Sequence, residues 1–79
     1  MPYDSKAFGI VISRLRTEKE LTQQAFAEAA QIARSHLTEL ENGNKGVLLD
    51  TFFRIAEALD MSPTELMRMV EMETLCRMR

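Results

Sequence analysis

Residues 34–41, RSHLTELE, set hydrogen-bonding side chains at helical spacing. With 3.6 residues per turn, Arg34, Ser35, Thr38 and Glu39 share one face, and Leu37 and Leu40 take the opposite one. A guanidinium fork, two hydroxyls and a carboxylate can bind a partner by donating and accepting hydrogen bonds, but they are not a reacting set. The rest of the chain supplies none. His36 is the only histidine and Cys76 the only thiol, and they fall on different predicted helices. No glycine-rich phosphate loop follows a strand, and no cluster has metal-ligand spacing. The sequence therefore predicts a binding protein that is not an enzyme, with no metal and no cofactor.

Two short helices must hold that face in place. Thr22 is a hydroxyl N-cap for a helix from Gln23 to about Ala30, and Leu21 before it can staple onto Phe26. Phe26, Ala27 and Ala30 form a narrow stripe of mostly small residues, which lets a second helix come close. Gln31 and Ile32 interrupt the pattern, Arg34 to Glu41 resumes it, and Asn42-Gly43 closes it with residues that tolerate a left-handed turn.

Around this pair the spacing predicts three more helices. The first, capped by Asp4 or Ser5, turns Phe8, Val11, Ile12 and Leu15 inward, and Gly9 within it marks close helix packing. Asp50 or Thr51 starts another, about Leu49 to Leu59, with Phe52, Ile55, Ala56 and Leu59 on one stripe. One or two of Val47, Leu48 and Leu49 should enter the core. Ser62-Pro63-Thr64-Glu65 spells a capping box with proline at the first helical position, opening a last helix from Pro63 to about Arg77.

The 79 residues suffice for one domain that buries about 60% of its unfolded surface, so a partner chain would help its stability. An apolar content of 46% with 6% aromatics and no Trp suits a small helical core. No run reaches the roughly 18 apolar residues that a membrane span needs. A lone cysteine cannot form an internal disulfide, and the cytoplasm is the expected compartment. The net charge of −2 argues against a polyanionic partner at first sight. Its distribution softens that: residues 1–45 carry six basic and six acidic side chains, residues 46–79 four and six.

The residues quoted above resemble the helix-turn-helix domains of the Cro/C1-repressor-like (XRE-type) DNA-binding family, which includes restriction-modification controller proteins. The likeness spans roughly residues 8–67 without a gap and rests on LTQQAFA, Ile32, the Leu37 and Leu40 pair, and the ending LENG. Three places depart from the pattern. Gln31 stands where glycine is frequent and Ala33 where a hydroxyl cap is usual, each a loss of about 1 kcal/mol. The apolar triplet Val47-Leu48-Leu49 replaces a frequent Pro-Ser.

The resemblance implies an all-α, five-helix repressor-like domain over residues 1–79, with the helix-turn-helix at about 22–42. It also implies a transcriptional regulator acting as a homodimer on a palindromic operator in double-stranded DNA, its second motif helix lying in the major groove. Arg34 would then face guanine O6 and N7, Ser35 a base or a phosphate, and Thr38 the thymine methyl. Glu39 either accepts from cytosine N4 or remains a solvated carboxylate that repels phosphate. Gln23 matches a phosphate-contacting position of the family. Asn42, Asn44 and Lys45 follow the recognition helix and can grip the backbone, and His36 either joins them or is plain helix surface. Arg16 is expected to pair with Glu41, tying the first helix to the end of the recognition helix.

The last helix, about 63–77, is assigned to dimerisation, because Met72, Leu75, Cys76 and Met78 continue its apolar content beyond Leu66, Met69 and Val70; Met69 is counted with that interface, as is the Val47 to Leu49 segment, and Phe53 is either core or part of it. With no appended ligand-binding domain, regulation by concentration is expected. Low basicity and surplus apolar side chains leave a second reading open: an antitoxin or adaptor module whose main partner is a protein, such as a toxin or RNA polymerase.

Overall fold

The computed structural model describes residues 2–79 and, among them, five α-helices and no strand: α1 (Ser5–Glu18), α2 (Gln23–Ala30), α3 (Arg34–Glu41), α4 (Leu49–Ala58) and α5 (Pro63–Arg77). Helix starts follow local chemistry where it exists. Asp4 accepts the backbone N–H of Lys6 at 2.9 Å, and Thr22 accepts that of Ala25 at 3.0 Å. At α5 both bonds of the capping box form, Ser62 Oγ accepting from the Glu65 N–H and Glu65 accepting from that of Ser62. Ala33 before α3 and Leu48 before α4 make no side-chain cap. The start of α4 thus precedes both expected caps: Asp50 sits in its first turn, where a carboxylate favours the helix dipole, and Thr51 is buried.

Four of the helices end alike. One residue turns left-handed after each of α1 to α4, at Glu20 (φ 58°), Gln31 (φ 60°), Gly43 (φ 74°) and Asp60 (φ 57°). The next N–H then reaches back into the last turn, Leu21 to Arg16, Ile32 to Ala27, Asn44 to Glu39 and Met61 to Ala56, at 3.0 to 3.1 Å. Only Gly43 does this without a penalty of about 1 kcal/mol from its Cβ. At the other three positions the following residue is apolar, and Leu21, Ile32 and Met61 all pack against the core. That burial offsets the backbone strain.

The helices enclose one apolar cluster. Phe8, Val11 and Ile12 of α1 meet Phe26 and Ala30 of α2, Leu37 and Leu40 of α3, Phe52 and Ile55 of α4, and Leu66 and Val70 of α5. Phe8 stacks on Phe52 with ring centroids 5.8 Å apart. Helix α1 lies against α3 and α5, α2 against α3 and α4, and α4 against α5, so α3 is held by two helices and its remaining side is open. Of the triplet before α4, Val47 reaches the core, whereas Leu48 and Leu49 stay 74% and 68% exposed. Among the described residues no helix is long and apolar enough to cross a membrane.

Candidate nucleic-acid interface

Leu37 and Leu40 are fully buried and seat α3, which directs Arg34, Ser35, Thr38 and Glu39 away from the core. Arg34 and Ser35, in its first turn, are exposed, and among the described residues neither side chain makes a hydrogen bond or ion pair. Thr38 and Glu39 are half-buried and already engaged. Thr38 Oγ1 lies 3.1 Å from the Arg34 carbonyl and 3.4 Å from Gln23 Oε1, and its single proton serves one acceptor at a time. A carboxylate oxygen of Glu39 lies 3.6 Å from Lys45 Nζ, an exposed pair worth little to stability.

The far end of α3 is closed. Arg16 grips Glu41 with two parallel contacts, Nε to Oε2 at 2.7 Å and Nη2 to Oε1 at 3.2 Å, while its Nη1 donates to the Leu21 carbonyl at 2.8 Å. The Glu41 side chain is only 6% exposed. Gly9 lies over the last turn of α3, where a Cβ would come within 2.5 Å of the Leu40 and Glu41 carbonyl oxygens, so α1 can cross there only without a side chain. Ser5 Oγ donates to the Gly43 carbonyl at 3.0 Å, holding the chain as it leaves α3.

Gln23, expected at a phosphate, has its amide oriented from within. Its Nε2 donates to Glu41 Oε1 at 3.0 Å and its Oε1 faces Thr38, which leaves one amide N–H and the open start of α2 for a ligand. Asn42 caps α3, Asn44 and Lys45 are exposed just beyond it, and His36 is half-buried on α3. Sequence reasoning missed Arg54. Its Nη1 donates to the carbonyl of Gln31 and its Nη2 to Thr51, while its buried Nε, 3.4 Å from an Asp50 oxygen, forms no hydrogen bond. It ties the turn between α2 and α3 to α4. Nothing local signals this, because the turn and Arg54 are 23 residues apart.

Phe53 and the α5 residues assigned to an interface lie on two surfaces. Phe53, 53% exposed, lines a groove with Leu49, Met67 and Arg68. Met69, partly buried against the core, lines another with Met72, Arg14 and Glu73. At 100° per residue Met67 and Met69 stand about 160° apart around α5. Leu75 and Cys76 are exposed further along the helix.

The two short helices, their tight turn and the outward first turn of the second define a helix-turn-helix protein. The helix-turn-helix family profile matches residues 12–66. The chain belongs to that family, the Cro/C1-repressor-like (XRE-type) class of DNA-binding transcriptional regulators. It is 33% identical over 67 residues to control protein C.MunI of Mycoplasma sp., covering 84% of this chain and 90% of that one. It is 34% identical over 61 residues to y4dJ of Sinorhizobium fredii, an uncharacterised HTH-type transcriptional regulator, covering 77% and 79%. Among solved structures it is similar to the restriction-modification controller protein C.AhdI from Aeromonas hydrophila, with TM-score 0.77, 36% identity, and 80% and 96% of the two chains covered.

Proposed function

We propose that this chain is a sequence-specific transcriptional regulator of the controller type, binding a palindromic operator as a homodimer with α3 in the major groove. The observation that carries the reading is the first turn of α3, where Arg34 and Ser35 project from a seated helix with no side-chain partner among the described residues. In a major groove Arg34 meets guanine, a bidentate contact worth about 1 to 3 kcal/mol of discrimination, and Ser35, Thr38 and Glu39 meet neighbouring base edges. Gln23, His36, Asn42, Asn44 and Lys45 fix the register through phosphates. Similarity to C.MunI and C.AhdI, a control protein and a restriction-modification controller, supports the controller type.

One short helix reads few base pairs, and two-fold pairing doubles the contact. The groove around Phe53, Leu49 and Met67 is the self-complementary surface we assign to that pairing, the flank of Met69, Met72 and Cys76 being its competitor. The test is footprinting on the DNA upstream of the chain's own gene, with sedimentation of the same proteins. Wild type is expected to protect a palindrome and Arg34→Ala to lose that protection while keeping its helicity and mass. Undiminished protection by Arg34→Ala overturns the base-reading role. Phe53→Glu is expected to halve the sedimenting mass and Met72→Glu to leave it unchanged; the reverse result moves the interface to the other flank. The exposed apolar groove also suits a protein-binding module with a toxin or RNA polymerase as partner, which a chain that protects no DNA would favour.

A further inference from the structure

The first turn of α1 lies beside the place where the chain leaves α3. Ser5 Oγ bonds the Gly43 carbonyl at 3.0 Å, and Lys6 packs on Gly43 so closely that a Cβ there would come within 2.7 Å of Lys6 Cγ and 2.8 Å of its Cα. Gly43 directly precedes Asn44 and Lys45, the residues assigned to the DNA backbone. Lys6 therefore shares an edge with them although 38 residues separate it from Asn44 in the sequence.

Two further observations bear on the Lys6 ammonium. Lys6 is exposed, and among the described residues it has no ion-pair partner. Asp4, two residues before it, is occupied: its carboxylate takes Arg77 Nε at 2.9 Å and the Lys6 backbone N–H at 2.9 Å. Lys45, by contrast, has Glu39 at 3.6 Å. The cation least committed within the chain at this edge is Lys6, at the end of a flexible four-carbon stem.

We propose that Lys6 contacts a DNA phosphate, extending the backbone grip of the loop after α3 onto the first turn of α1. The inference rests on the DNA-binding reading above and adds a contact on a helix outside the helix-turn-helix. A phosphate neutralised by one lysine releases counterions, which contributes about 0.9 to the slope of log affinity against log salt. Such a contact carries no base information, so it acts on all sequences alike.

The experiment is fluorescence anisotropy of wild type, Lys6→Gln, Lys6→Arg and Arg34→Ala on the footprinted duplex and on a scrambled duplex, across a salt series. Lys6→Gln is expected to bind both duplexes about fivefold more weakly near physiological ionic strength and to shallow the salt slope by about 0.9. Lys6→Arg should restore the slope, and thermal melting should match wild type. An unchanged slope in Lys6→Gln, with Arg34→Ala still losing only the footprinted duplex, overturns the Lys6 contact and leaves the regulator reading standing. Wild type failing to bind either duplex at any salt overturns both.

Discussion

The two ends of α3 are built differently. Its C-terminal end is clamped by Arg16 on Glu41, by the bare Gly9 backbone against the last carbonyls and by Ser5 on Gly43. Its N-terminal end follows a left-handed Gln31, starts at an alanine with no side-chain cap, and carries Arg34 and Ser35, which have no partner among the described residues. A helix that reads DNA, the role proposed for α3, needs both properties. Holding one end fixes the angle of the helix, and leaving the other uncommitted keeps its donors free for a ligand instead of satisfied at home. Rigidity in α3 thus resides at its C-terminal end, about two turns from Arg34 and Ser35.

The sharpest way to break this contrast is to open the clamp. Arg16→Ala strands a nearly buried carboxylate with only Gln23 as donor, and the expected loss is about 3 to 5 kcal/mol in urea unfolding with an unchanged slope. A loss below about 1 kcal/mol would show that the end of α3 is held by packing alone. A milder change sharpens the other end. Ala33 has φ −69° and ψ 144°, the backbone of an ordinary N-cap, so Ala33→Ser should add about 1 kcal/mol. In a chain of this size that raises the melting temperature by roughly 4 to 8 °C. No gain would mean that the orphan N–H groups of α3 are already satisfied.

The smallest effect is expected at the outer rim of the clamp, where Arg77 hydrogen-bonds Asp4 and holds its carboxyl below the usual value of 3.8, helped by the N–H groups of Lys6 and Ala7. A carboxyl with a depressed folded value stabilises the fold above its unfolded value, and that contribution disappears as pH falls through the folded one. Melting temperature measured from pH 6 down to pH 2 should therefore drop less in Asp4→Asn than in wild type. Parallel curves would show that the Asp4–Arg77 pair contributes nothing.

Much of this architecture was legible along the chain. The capping box at Ser62 and the Thr22 cap are written in adjacent residues, and the starts of α5 and α2 follow from them, whereas α3 is legible from the helical spacing that resumes at Arg34. Gln31 was readable as a turn from the interrupted pattern, but Glu20 and Asp60 were not, since their left-handed turns are stabilised by Leu21 and Met61 finding the core. The start of α4 at Leu49 was legible, but what sets it was not: packing of Val47 and burial of Thr51, rather than a cap from Asp50 or Thr51, fix that end. The dimer assignment drew Phe53 and Met69 together from composition, whereas helix geometry separates them onto two flanks.

By itself the sequence determined which residues form helices and which four side chains α3 turns outward, because caps and 3.6-residue periodicity act over a few neighbours. Only the tertiary structure decided what those side chains are free to do. The amide of Gln23 bound to Glu41, Arg54 on the Gln31 carbonyl and Lys6 at the edge of Gly43 join residues 18, 23 and 37 positions apart, and contacts of that range exist only once the helices have packed.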